Sequence, residues 1–264
     1  PVDWQAARAA GVRFAFIRAA HGPTVDPTYA REAARARAAG VQVGAYGIIE
    51  WTSASAGLQA SALVGQVQAA GQPGDLPTSC DVEYSGSLRE RGFAPLVVLT
   101  RVAAYVAGVI AGTGAACVYT SQNQWSENVG DLDSHELGNV PLWIKTSYTY
   151  RARRPPATSP AGDPRIGQLG VLPRPWRRPG SAGAWWQQHQ GDAVGMPGFS
   201  ATVDLNAACV YRVTRTPDPR GTWVRAQLER HGCATIQALQ TRHGLDADGA
   251  IGPATLAYLA RREP

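Results

Sequence analysis

The sequence predicts an α/β protein whose strands form a parallel sheet. Two observations carry this. Short runs rich in branched and aromatic residues alternate with Ala-rich helical stretches at intervals of roughly 25 to 40 residues, the rhythm of βα units with right-handed crossovers. The chain's 264 residues also give room for one large domain of roughly 200 residues plus a small one, or for two of middling size, each with a sizeable core.

Taken in order, Trp4 to Ala10 reads as a short helix stopped by Gly11, and the apolar run Val12 to Arg18 as the strand that follows. Asp26-Pro27 has the form of an N-cap with proline in the first turn, opening an Ala- and Arg-rich helix over Thr28 to Ala39 that Gly40 ends. Val41 to Tyr46 is the next strand and Ala54 to Ala70 the next helix. A strand ending in Asp81 and Glu83 follows, then a long apolar helix from Pro95 to Ala111 closed by Gly112. Ala116 to Thr120 and Val140 to Ile144 are further strands, and Ala184 to Gly191 with Val203 to Asn206 a closing strand pair.

Functional groups in such folds gather at the carboxyl ends of the strands. Asp81 and Glu83 flank a single valine, so on an extended strand both leave by the same face. Like charges a few Å apart resist ionising together, so such a pair holds one proton and one negative charge near neutrality, which suits acid-catalysed bond cleavage. A solvated strand end carries the same Asp-x-Glu pattern, and the pair gains weight only from its neighbours. Arg18, Tyr46, Tyr119 and the Trp143 strand end at the same level. Aromatic rings around two carboxylates either cap the core or stack on the CH faces of a sugar.

Charge and cysteine usage narrow the classes. Lys+Arg 25 against Asp+Glu 20 gives +5 and a pI near 9.3, which favours polyanionic surroundings such as anionic wall polymers. The excess is arginine, for Lys145 is the one lysine of the chain, and no run alternates basic with aromatic residues as a nucleic-acid surface would. Cys80, Cys117, Cys209 and Cys233 form no CxxC pair and no Cys/His cluster, so neither metal nor cofactor is expected. They serve either as buried small hydrophobes or as one or two disulfides. With no apolar run of about 20 residues, no membrane span is expected. Between Arg151 and Gly180 arginine and proline predominate, which predicts a long solvated surface insertion. His135 and His189 lack a nearby Ser or Cys nucleophile signature, so a hydrolase triad has no support.

The ordered set Asp3-Trp4, Gly11 to Ala19, Gly40 to Tyr46, Leu76-Pro77 to Glu83, Val118-Tyr119-Thr120, Leu142-Trp143, Trp186-Gln187 and Val203 to Asn206 resembles glycoside hydrolase family 25, the lysozymes of the Chalaropsis type. The resemblance implies a modified TIM-like β/α barrel over residues 1–213. It implies cleavage, with retention, of the β-1,4 bond between N-acetylmuramic acid and N-acetylglucosamine in peptidoglycan. Glu83 then matches the general acid, Asp81 the carboxylate that assists it, Asp204 a further cleft acid, and Tyr46, Tyr119, Trp143, Trp186 and Gln187 the sugar-contacting rim. The location implied is extracellular or the cell wall, as for a phage endolysin or a secreted bacterial protein.

Two departures stand out. The family's first strand, with its Asp-x-Ser segment, has no counterpart after Pro1, so the resemblance implies a gap in the barrel that is filled by a preceding segment, by a partner chain, or not at all. Gly47 stands where the family commonly has histidine. An alternative from a different class is therefore a non-catalytic wall-binding protein with a degenerate barrel. Beyond the linker at Thr216 to Arg220, residues 221–264 resemble the small all-α three-helix peptidoglycan-binding module of wall hydrolases, on Thr235 to Gln240, His243-Gly244-Leu245, Asp248-Gly249 and Ile251 to Leu259. Such a module raises the local substrate concentration by avidity.

Overall fold

The computed structural model describes residues 2–51, 54–71, 75–84, 86–130, 132–145, 172–176, 181–193, 195–200, 203–211, 228–245, 247 and 255, with the backbone alone at 187–193, 205, 207–211 and 236. Eight strands form one sheet: β1 (Phe14–His21), β2 (Thr24–Val25), β3 (Gln42–Ile48), β4 (Thr78–Asp81), β5 (Ala116–Ser121), β6 (Leu142–Lys145), β7 (Ala184–Ala193) and β8 (Val203–Tyr211). Their order is β2-β1-β3-β4-β5-β6-β7-β8, parallel from β1 through β7 with β2 and β8 antiparallel at the edges. The helices are α1 (Trp4–Ala9), α2 (Tyr29–Ala38), α3 (Ala56–Ala69), α4 (Pro95–Thr113), α5 (Gln122–Asn128), α6 (His135–Gly138) and α7 (Ile236–Arg242).

The sheet is rolled. Laid flat, β1 and β6 would stand four strand spacings apart, about 19 Å. Yet the Phe16 ring of β1 stacks on Trp143 of β6 with centroids 4.3 Å apart and meets Trp186 of β7 edge-on at 5.6 Å. Among the described residues no ladder joins β1 to β8, so the roll is open along that seam. The start of α1 reaches the β7–β8 connection instead: Asp3 N donates to Gly198 O at 2.7 Å, and Trp4 meets Phe199 edge-on at 5.8 Å. A side chain at Gly198 would strike Asp3 and Ala7, so only glycine permits this approach.

Local chemistry explains the element ends. Asp3 caps α1 by accepting from Ala6 N at 3.0 Å, and Ser55 caps α3 by accepting from Leu58 N at 3.2 Å. Asp26 lies outside α2 and instead folds the turn before it, accepting from Thr28 N and Thr28 Oγ1 at 3.0 and 2.7 Å. The long helix runs through Gly112 and ends at Gly114, whose φ of 81° is left-handed. Gly112 is there for space: a Cβ would collide with Val64 of α3, and one on Gly108 would come within 2.9 Å of Ala60. α4 also corrects the expectation that no long apolar run exists. Its 19 residues have a mean hydropathy of 1.8, enough by length and composition to cross a membrane. Its Val98, Leu99, Val102, Tyr105, Val106 and Val109 are buried and it packs along α3, which is how a core helix of a layered fold acquires such a composition.

The strand pair expected to close the domain is the antiparallel pair β7–β8. Cys80, Cys117 and Cys233 are free thiols. Burial pushes Cys80 well above its ordinary pKa and Cys117 to about 12, so these two act as small hydrophobes. Within the expected solvated insertion, Leu172 and Trp176 are fully buried. Trp176 packs edge-on to Trp125 at 4.9 Å and donates to Val140 O at 2.7 Å, anchoring that segment beside α5 and the start of β6. In the C-terminal segment, Thr235 caps α7 and Gln240 Nε2 donates to Thr255 Oγ1 at 3.1 Å. The linker at 216–220 and residues 221–227, 246, 248–254 and 256–264 of the expected three-helix module lie outside the described residues.

Candidate active site

The inner face of the roll is built in rows by strand register. Asp81 pairs with Tyr119, Tyr119 with Trp143, and Trp143 with Trp186, so a carboxylate and three aromatics form one level across β4 to β7. These aromatics are buried, and with Cys117, Trp185, Phe14 and Phe16 they make a cluster separate from the main core. Trp143 is fixed from both sides, by the Phe16 stack and by donation of its Nε1 to Asn206 Oδ1 on β8 at 2.7 Å. One level higher, Ser121 pairs with Lys145, Lys145 with Gln188, and Gln188 with Asn206.

Glu83 belongs to that upper level. β4 ends at Asp81, so Glu83 stands two residues past the strand rather than within it. The backbone around it is nevertheless held. Val82 N donates to Tyr119 O at 2.8 Å, Val82 O accepts from Thr120 Oγ1 at 2.9 Å, and Tyr84 N donates to Gln124 Oε1 of α5 at 2.9 Å. The backbone on either side of Glu83 is thus tied to β5 and α5, and its charge acts on Asp81. Glu83 Oε1 accepts from Lys145 Nζ at 3.0 Å, and both side chains are about a third exposed, 29% and 31%. Beside Glu83 lies a recess lined by Trp51, Tyr84, Gln124, Trp125 and Asn128 among others.

Electrostatics separate the two acids. Asp81 is 7% exposed and its Oδ1 has no hydrogen-bond partner among the described residues. Burial pushes its carboxyl well above the usual carboxylate range; Glu83 and Asp204 push the same way and Lys145 opposes them. Burial and the same acids raise Tyr119, and burial with Asp81 pushes Tyr46 up to about 12, so both phenols stay protonated donors. An inner acid beside an aromatic floor, an outer acid at the rim and phenol donors on the two neighbouring strands suit proton transfer to a polyhydroxylated substrate.

The family model described as "Glycosyl hydrolases family 25" matches residues 1–162, more than half of the chain. The chain belongs to glycosyl hydrolase family 25. A family 25 protein is a glycosidase, and solved structures agree with the fold. The bacterial lysozyme from Streptomyces coelicolor is 20% identical with a TM-score of 0.58, covering 78% of this chain and 86% of that one. The muramidase from Acremonium alcalophilum is 23% identical with a TM-score of 0.57, covering 79% and 88%. The modular autolysin LytC from Streptococcus pneumoniae, solved with a synthetic peptidoglycan ligand, is 15% identical with a TM-score of 0.55, covering 77% and 42%. A search of curated protein sequences returned no match.

Of the family 25 residues expected from sequence, Asp81, Glu83, Tyr46 and Tyr119 come together with Asp204, an exposed residue on β8 whose charge is felt by Asp81 and both tyrosines. Trp143 and Trp186 form the floor, 6% and 0% exposed, rather than an open rim. Gln187 pairs with Ile144; its side chain lies outside the described residues. Gly47 does not face the cleft: a Cβ there would meet Tyr105 Oη at 2.6 Å and Leu63 at 2.8 Å, on the helix side. Two residues escaped the sequence reading as site residues. Asn206 was visible only as part of a strand, and Lys145 only as the single lysine in an arginine-rich chain, at the carboxyl end of a strand.

Proposed function

We propose that the protein is a muramidase that hydrolyses the β-1,4 bond between N-acetylmuramic acid and N-acetylglucosamine in peptidoglycan, with retention, at the cell wall. The observation that carries this is the carboxylate pair at the end of β4, one acid buried over the aromatic floor and the other at the rim. Both acids approach from one side of the sugar. That arrangement favours attack on the anomeric carbon by the substrate's own 2-acetamido oxygen rather than by a carboxylate nucleophile across the ring. Asp81 orients and charge-stabilises the acetamido group. Glu83 delivers a proton to the leaving oxygen as the glycosidic bond breaks, then takes a proton from the water that opens the oxazolinium ion. Tyr46 and Tyr119 offer hydrogen bonds to the acetamido group and sugar hydroxyls. The peptidoglycan ligand of the pneumococcal autolysin supports this substrate class, and residues 221–264 hold the enzyme on the wall.

Release of reducing termini from purified peptidoglycan tests the reaction, and the anomer formed first, read by proton NMR, tests retention. No reducing sugar from the full-length protein would sink the muramidase reading. Retention on insoluble wall that survives removal of residues 221–264 would remove the role given to that segment.

A further inference from the structure

Lys145 is the unexpected member of the cleft. It occupies the last position of β6, level with Ser121 on the neighbouring strand, and Glu83 stands two residues past Asp81 on the strand beyond that. Two strand spacings are about 10 Å, a gap that a long flexible side chain spans. The ammonium closes it at 3.0 Å on Glu83 Oε1. Every other basic residue of the chain is an arginine. A guanidinium would engage both oxygens of a carboxylate with a planar two-toothed fork, whereas an ammonium is a compact point charge that can engage a single oxygen.

We propose that Lys145 is a positioning residue of the cleft: it clamps Glu83 by Oε1, leaving Oε2 to meet the scissile oxygen, and places its positive charge among the acids of the cleft. This rests on the roles assigned to Glu83 and Asp81 above. The clamp is compatible with both states of Glu83. An anionic carboxylate accepts from the ammonium, and a carboxyl protonated on Oε2 still accepts through its carbonyl oxygen Oε1. The proton to be delivered is thereby directed to the oxygen that faces the substrate. The titratable and charged groups around Asp81 are Cys80 on its own strand, Glu83 two residues past it, Tyr46 from β3, Tyr119 from β5, Asp204 from β8, Tyr105 from α4 and Lys145 from β6, with Arg18 of β1 acting on Tyr46. Among the groups acting on Asp81, Lys145 is the one that favours its anion.

The test compares Lys145→Met and Lys145→Arg with the wild type in the full-length protein, using thermal melting to confirm the fold. Reading kcat and KM on purified peptidoglycan across pH, Lys145→Met is expected to lower kcat about tenfold to a hundredfold at little change in KM, the cost of a misaligned proton donor. It should also move the acid limb of the profile to higher pH, because Asp81 ionises later without its counter-charge. Lys145→Arg keeps the limb in place. Carbon-13 titration of the Asp81 carboxyl reports the same shift without relying on turnover. An Asp81 titration that superimposes in wild type and Lys145→Met overturns the inference, as does a Lys145→Met enzyme with wild-type kcat and an unmoved limb while Glu83→Gln is inactive. Should Glu83→Gln instead turn over like the wild type, the function assigned to Glu83 fails, whatever the Asp81 titration shows.

Discussion

The two faces of the rolled sheet follow different rules. The outer face meets α3 and α4 through small and apolar residues: Val43, Ala45, Cys80, Val118, Leu142 and Ile144 belong to the large core cluster, and Gly47, Gly108 and Gly112 remove the Cβ atoms that would keep the layers apart. The inner face carries its own aromatic cluster, and at its edge a buried carboxyl, Asp81, whose Oδ1 meets no hydrogen-bond partner among the described residues. Close packing of small and apolar residues is what stability favours. A buried carboxyl held next to a cleft costs stability and is retained where chemistry needs it. One sheet thus separates the two demands by the period-two alternation of its side chains.

The sharpest break of this contrast is a change at the inner rim that costs rate and no stability. Glu83→Gln keeps the shape of the side chain, removes the proton to be delivered and leaves a carboxamide oxygen for Lys145. Turnover of peptidoglycan is expected to fall by about 10²- to 10⁴-fold, the range for a general acid. The melting temperature should stay within about 2 °C, since exposed ion pairs contribute little. A melting temperature that falls in step with activity would place Glu83 among the structural residues instead.

The mirror-image change belongs on the outer face. Gly112→Val drives a side chain into Val64 at the α3–α4 contact, and overpacking of that kind costs about 1–3 kcal/mol. In a protein of this size each kcal/mol lowers the melting temperature by about 2–4 °C, while turnover per folded molecule should be unchanged. Combining it with Val64→Ala should recover much of the loss, because the two side chains then share one volume. Independent, additive losses in the double variant would show that the helices do not meet through this pair.

How much of this was legible in the sequence divides along the same line. Alternating apolar runs and helices gave the outer face its strands, and the order of motifs brought Asp81, Glu83, Tyr46, Tyr119 and Asp204 to one cleft. Glycines were harder, because a glycine stops a helix at Gly114 and admits a neighbouring helix at Gly112, and the two uses look alike without a partner to pack against. Burial of Trp143 and Trp186 was hidden for a similar reason: it depends on Phe16 arriving from the far side of the roll. Lys145 carried no motif at all. Its role comes from register, which sets it level with Glu83 across a strand that sequence neighbours do not reveal.

The last comparison sets the two acids against each other. Asp81 is buried and its pKa is raised chiefly by that burial, so the folded state holds its proton more tightly than the unfolded chain does. Below about pH 4, the ordinary carboxylate value, both states are protonated and the contribution of Asp81 to stability is at its greatest. As pH rises from there toward the raised folded value, the unfolded chain releases its proton first, and stability falls across that window. Asp81→Asn removes the titration while keeping the side-chain size. Its melting temperature should match the wild type near pH 3 and exceed it at pH 7. Peptidoglycan turnover should be lost in the same variant, because a carboxamide cannot supply the charge that Asp81 gives to the acetamido group. A variant less stable than the wild type at pH 7 would mean that the anion of Asp81 is held by compensating contacts, and the inner face would then owe its polar edge to packing rather than to chemistry.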